Sequence, residues 1–228
     1  MKKSVGGTSL GLTPLSTAAD TGYEVIVDLL LDKGADTEAR SKDGYTPIWL
    51  AAHNGHKATV ELLVEKGVNI KSRDYFNGRS PLFTAARNGH EAVVELLLGK
   101  GADTEIKTTN KFAVTPLWIA AQNVHEAVVK LLLDKGANIE VMSLRGSTPL
   151  HMSAENGHEA VVELLLKKDA EFDVNSMDET GLTPPWLAAA GGKRSRSQTT
   201  TRKGRRHRSK IQGPVWKYTT LDSRPKRA

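Results

Sequence analysis

A tripeptide that returns at a nearly constant interval constrains this chain more than any other feature. Thr13-Pro14-Leu15 recurs as Thr46-Pro47-Ile48, Ser80-Pro81-Leu82, Thr115-Pro116-Leu117, Thr148-Pro149-Leu150 and Thr183-Pro184-Pro185, at intervals of 33, 34, 35, 33 and 35 residues. The other landmarks keep the same order within each unit: paired alanines such as Ala51-Ala52, then Asn54-Gly55-His56, an apolar run, and Lys66-Gly67. Self-similarity at such a period is the mark of an array of stacked supersecondary units. An unrelated helical bundle would not produce a fixed Thr-Pro-Leu spacing.

Each landmark has a physical role. Thr or Ser at a helix N-cap accepts a hydrogen bond from an otherwise orphaned backbone N–H. Proline follows at the first helical position, where its missing N–H costs nothing. Paired alanines let two helices approach closely. Glycines 22, 55, 89 and 157 suit a tight turn that needs positive φ, and glycines 34, 67, 101 and 136 suit left-handed helix ends. Between them Val94, Leu97 and Leu98 fall at i, i+3 and i+4 and predict one apolar helical stripe. Val27/Leu30/Leu31, Val129/Leu132/Leu133 and Val162/Leu165/Leu166 repeat it. One helix pair cannot bury this stripe alone, so neighbouring pairs must stack.

The unit from Ser80 to Leu98, S-P-L-F-T-A-A-R-N-G-H-E-A-V-V-E-L-L-L, resembles the ankyrin repeat, and the resemblance covers about residues 11–192. It implies an all-α repeat solenoid of stacked helix-turn-helix pairs joined by β-hairpin-like loops. The expected organisation is a short extension at 1–10, an array at 11–192 of five full repeats and a truncated sixth, and a basic tail at 193–228. Extra residues at Lys107–Lys111 and Glu171–Asp173 fall where the family has its hairpin loops. The implied function is protein–protein interaction through the concave surface of hairpins and first helices. By position that surface comprises Tyr45, His53, Phe76, Arg79, Arg87, Val114, Gln122, Arg145, Ser147 and Glu155, with Phe112 and Leu144 at neighbouring hairpin positions. The family's histidine after Thr-Pro-Leu survives only as His151. Trp49, Phe83, Trp118 and Trp186 replace it elsewhere, either as packing between repeats or as a partly exposed aromatic ladder along the same surface.

Some residues depart from the pattern. Val124 stands where the turn glycine belongs, and a β-branched residue at positive φ is strained. Asp169 replaces a capping glycine, and Pro185 takes the leucine slot of the sixth unit. These faults predict an array weakest around repeats four to six. Val25-Ile26-Val27 of the first unit reads as an internal rather than a capping repeat, as in an excerpt from a longer array or a larger scaffold.

Charge divides the chain. Of 32 Lys+Arg and 26 Asp+Glu, residues 193–228 hold 13 bases and one acid, Asp222, leaving 19 bases and 25 acids elsewhere. Clusters such as Arg205-Arg206-His207-Arg208 invite a nuclear-import or nucleic-acid reading, and the tail is too charged and too poor in aliphatic residues to fold. A second explanation comes from back-translation. Read one nucleotide later, Arg194 to Lys210 can become E-A-V-V-K-L-L-L-E-K-G-A-D-I-E-A-K. Gly213 to Ala228 can become D-R-Y-G-N-T-P-L-W-T-A-A-Q-N-G-H. Visible residues dictate most first and third bases of these hidden codons. The hidden Thr-Pro-Leu lands at positions 218–220, 35 residues after Thr183.

Nothing in the sequence spells catalysis. His56, His90, His125 and His158 share one repeat position, so they form a ladder instead of the three or four converging ligands a metal requires. The family resemblance implies that this histidine is a structural hydrogen-bonder. There is no phosphate loop, nucleophile elbow or dinucleotide fingerprint. With no cysteine and no apolar run of about 18 residues, neither disulfides nor a membrane helix is expected. No catalytic residue, cofactor, metal or small-molecule substrate is expected. The expected partner is another protein, with nucleic acid only if the tail is functional. The expected compartment is the cytoplasm, with the nucleus as the alternative through the tail.

Overall fold

The computed structural model describes residues 11–168 and 173–190. Ten helices have defined bounds: α1 Pro14–Thr21, α2 Glu24–Asp32, α3 Pro47–Asn54, α4 Lys57–Glu65, α5 Pro81–Asn88, α6 Glu91–Gly99, α7 Pro116–Gln122, α8 Glu126–Asp134, α9 Pro149–Glu155 and α10 Glu159–Lys168. Residues 184–190 are helical as well, and no strand occurs among the described residues.

The odd-numbered helices all start the same way. The Thr13, Thr46, Ser80, Thr115 and Thr148 side chains each accept the backbone N–H three residues on, with proline at the first position. These first helices pack on one another in chain order to form an inner layer, and the second helices α2, α4, α6, α8 and α10 form the outer one. The repeated tripeptide therefore lines up along one side. Leu15, Ile48, Leu82, Leu117 and Leu150, the alanine pairs, and Val27, Val60, Val94 and Val129 make one continuous buried spine. At about 25 cal/mol per Å² of apolar surface, this shared spine stabilises helices of only seven to ten residues, which are too short to persist alone.

Two details fix the inter-helix turns. Gly22, Gly55 and Gly89 have φ of 75°, 78° and 75°. The ring of the next repeat's His56, His90 or His125 lies so close that an added Cβ would come within 2.5–2.6 Å of it. Each of these turn histidines bonds to a main-chain carbonyl of the preceding repeat: His56 to Asp20 at 3.0 Å, His90 to His53 at 2.9 Å, His125 to Arg87 at 2.9 Å and His158 to Gln122 at 3.2 Å. A carbonyl only accepts, so Nε2 carries the proton in each. Asn54, Asn88 and Asn123 donate to the same carbonyls of Asp20, His53 and Arg87.

The hairpins stack through single backbone bonds rather than strands. Tyr75 donates to Asp43, Thr109 to Asn77, Leu144 to Phe112 and Glu179 to Arg145, at 2.8–3.0 Å. A ladder of cations runs beside them: Arg40 reaches the carbonyl of Arg73, Arg73 that of Lys107, and Lys107 that of Met142.

The structure departs from the sequence expectations in two places. The apolar stripe is complete only in the middle of the array. Leu30 and Leu31 of α2 and Val162 of α10 are half-buried, and Leu166 is exposed, because no further helix pair among the described residues covers these faces. Val124 does adopt positive φ, 64°, but Ala113 at 49° is a second such site, standing where other hairpins have Gly44, Gly78, Gly146 and Gly181. The expectations for residues 1–10, Asp169, Glu171 and 193–228 lie outside the described residues.

Candidate protein-binding surface

The first helices and the hairpins build one ridged face, and the expected surface residues divide into three groups. The first is a stack along α3. Tyr45 lies on Trp49 with ring centroids 4.1 Å apart, and Trp49 on His53 at 5.1 Å. His53 Nδ1 meets Thr84 Oγ1 at 2.9 Å and the Asn88 amide at 3.1 Å. The Asn88 amide donates, so Nδ1 accepts. Burial above all, reinforced by the charges of Arg79, Arg87 and His90 against the opposing pull of Asp20, holds the His53 pKa below its ordinary value. Burial, then Asp43, pushes the Tyr45 hydroxyl up. Both groups are thus neutral at pH 7.

The second group lines an open groove of about 380 Å³ between repeats three and four. It brings together Arg79, Phe83, Arg87, Phe112, Val114, Trp118 and Gln122 from two successive hairpins and the helices α5 and α7 that follow them. Phe83, Val114 and Trp118 form its floor, a small apolar cluster against which half-buried Phe112 packs. Asn77 and Asn110 complete the rim. Arg87 is exposed and pairs with no carboxylate among the described residues.

The third group stands on the hairpin tips. Phe76 and Leu144 are each 68% exposed. The Phe112 ring is flanked by the Lys111 ammonium at 5.2 Å and the Arg145 guanidinium at 5.1 Å, a separation at which cations are held by the ring quadrupole. Arg145 also faces Glu179 at 3.7 Å. Beneath Phe76, the buried Asp74 carboxylate accepts the backbone N–H groups of Phe76, Asn77 and Arg79 and pairs with Arg79 Nε at 3.0 Å. Glu155 is half-buried at the end of α9, away from the groove lining.

Five expected surface residues are corrected here. Trp49, Phe83, Trp118, Val114 and Ser147 are 4%, 3%, 8%, 5% and 6% exposed. They shape the surface from below and present little of themselves to a partner. The two tryptophans are held by the following repeat: Trp49 Nε1 donates to the Arg79 carbonyl at 3.0 Å and Trp118 Nε1 to the Ser147 carbonyl at 3.1 Å. Ser147 Oγ is engaged with Ser143 Oγ at 2.8 Å, and the Val114 N–H with Thr108 Oγ1. Trp186 alone is open, at 55%. His151 keeps its bond to Thr148 Oγ1 at 2.8 Å. Sequence reasoning passed over Asp74, Asn77, Asn110 and exposed Tyr75, over which Arg40 lies at 5.5 Å. The run Asp74-Tyr75-Phe76-Asn77-Gly78, rich in turn formers, was the available signal.

No three His, Asp or Glu side chains among the described residues converge on a point that could hold a metal ion. Among those residues, too, no helix is long and apolar enough to cross a membrane.

Stacked helix pairs with capped starts, a shared spine and a ridged hairpin face define a helical repeat protein of the interaction-module class. The family model for ankyrin repeats matches residues 15–108, 74–143 and 101–178, and the chain belongs to the ankyrin-repeat family. No curated protein matches the chain. Ankyrin repeats are in general protein–protein interaction modules, and the chain has that general character.

Proposed function

We propose that the chain is a non-enzymatic binding module that docks another protein along the concave face between the second and fifth repeats. One observation carries this: Phe76, Phe112 and Leu144 stand on three successive hairpins, and Phe112 lines a groove to which Arg87 also belongs. Aromatic side chains at the surface and an arginine that pairs with no carboxylate among the described residues are of the types that anchor interfaces, and loops on a rigid scaffold are where binding residues concentrate. We place the chain in the cytoplasm, with residues 193–228 making no contribution to partner binding or distribution.

The test compares proteins captured by the full chain with those captured by a Phe76→Ala/Phe112→Ala/Leu144→Ala variant. A Glu61→Ala/Glu95→Ala variant on the exposed outer helices serves as control. Truncating anchors of this kind costs 2 kcal/mol or more, so a specific partner should lose about 30-fold in affinity to the hairpin variant and less than about twofold to the control. Equal capture by both variants, with unchanged thermal melts, would place the binding surface elsewhere.

A further inference from the structure

Among the described residues, the end of the array formed by α10 and residues 184–190 is an uncovered face. Trp186 occupies the position of Trp49, Phe83, Trp118 and His151, which are at most 8% exposed, yet it is 55% exposed. On α10, Val162 is half-buried where Val60, Val94 and Val129 are fully buried, and Leu166 is 38% exposed where Leu98 and Leu133 are 8% and 3%. These side chains belong to two different helices and open toward the same end of the stack. Elsewhere in the array such positions are closed by two things: the second helix of the following repeat, and the hairpin carbonyl just before the next N-cap, which receives the tryptophan N–H.

The one-nucleotide-shifted reading of residues 194–228 contains both. E-A-V-V-K-L-L-L-E repeats the second-helix sequence of α6 (E-A-V-V-E-L-L-L-G) and α8 (E-A-V-V-K-L-L-L-D) with one substitution in the interior of the first and none in that of the second. It starts at position 194, with positions 191–193 between it and the helical segment 184–190. The shifted Thr-Pro-Leu begins 35 positions after Thr183, an interval already present twice in the array. The residue before that threonine, at shifted position 217, is 31 positions beyond Trp186. Trp49 and Trp118 find their acceptors 30 and 29 positions on.

We infer that the face formed by α10 and residues 184–190 is the seat for the second helix of the sixth repeat and the opening of a seventh, and that the codons of residues 194–228 encode this segment one nucleotide out of phase. The arginines of the visible frame then follow from the codons: a hidden Glu, Ala, Val, Gly or Asp codon begins with G, and G is the middle base of every arginine codon. Charge at 193–228 is on this account no evidence for nucleic-acid recognition.

Two measurements test the two halves separately. The coding DNA decides the frame, because the visible protein leaves open the middle base of each hidden codon and, beside Arg, Ser and Leu, some of the others. Leucine at shifted positions 199–201, Thr-Pro-Leu at 218–220 and no stop between are expected. A stop codon, or proline, glutamine or arginine in place of those leucines, overturns the inference. The seat is read by hydrogen exchange on the full chain and on a chain with one nucleotide deleted at codon 193. Amides of residues 184–190 and of the last turn of α10 should exchange at least tenfold more slowly in the second. As a check against failure of that chain to fold, residues 193–228 are replaced by residues 125–155, which fold in place within the array, and the same slowing is expected. Protection within twofold of the original in both variants overturns the seat.

Discussion

Thr59 is fully buried at a position where α6, α8 and α10 carry Val93, Val128 and Val161, and its hydroxyl has no hydrogen-bond partner among the described residues. A buried hydroxyl left unpaired costs about 1–3 kcal/mol, while valine has nearly the same shape and a better match to the surrounding spine. Thr59→Val should therefore stabilise the array by about 1 kcal/mol, seen as a rise in Tm of roughly 2–4 °C. A lower Tm would mean that the hydroxyl makes a bond in solution. The same kind of local reading explains what was visible in the sequence from the start. N-caps, the proline after each cap and the left-handed glycines depend on a few neighbouring residues, and Thr13, Pro14, Gly22 and Gly34 behave as their types dictate. Burial of a large side chain depends on a neighbouring repeat. Trp118 and Trp186 sit in the same local pattern, yet one is 8% and the other 55% exposed, so no reading of the tripeptide's surroundings could separate them. Position in the array decides.

Among the connecting elements, the hairpin at Asp74–Ser80 is organised around one buried carboxylate. A single carboxylate gathers three backbone donors and the Arg79 side chain while fully buried. This locks the turn from which Phe76 projects. Removing one member of a buried ion pair strands its partner, at a cost of about 3–5 kcal/mol. Asp74→Ala should then lower Tm by roughly 6–12 °C and weaken partner binding as much as Phe76→Ala does, since the tip loses its fixed position. Arg79→Ala should cost less in stability, because the carboxylate keeps its three backbone donors. If Asp74→Ala and Arg79→Ala melt together, the backbone bonds are not what holds the hairpin. The hairpins also show why binding positions were harder to foresee than helices. Helix starts follow a strict grammar, whereas hairpin length varies, and the insert near Lys107–Lys111 shifts Phe112 into contact with Lys111 and Arg145 in a way that counting from Thr-Pro-Leu does not anticipate. Ala113 at φ 49° escaped notice for the same reason: the glycine it replaces is identifiable only once the hairpins are superposed.

Across the whole molecule, stability in such an array is close to a sum of repeat terms and nearest-neighbour interfaces, so one poor interface divides the stack. The junction between the fourth and fifth repeats has three linked faults. Val124 holds φ of 64° where the preceding turns have glycine. The bond from His158 to Gln122 is 3.2 Å against 2.9–3.0 Å in the other three steps of the ladder. Asn156, whose counterparts reach back to the previous repeat, donates instead to Met152 of its own helix. These observations share a cause: a Cβ now stands where Gly22, Gly55 and Gly89 leave room for the histidine ring. A β-branched residue in this conformation costs about 1–3 kcal/mol. Helices α9 and α10 should consequently open as a unit at lower free energy than α3 to α6, and their amides should exchange first. Val124→Gly removes the strain at the price of some chain entropy, a net gain of about 1 kcal/mol, or roughly fivefold slower exchange throughout α9 and α10. Helices α1 to α4 are several interfaces away and should not respond. Slowing spread evenly over the array would show that the repeats unfold as one cooperative body and that the junction at Val124 is not its weak point.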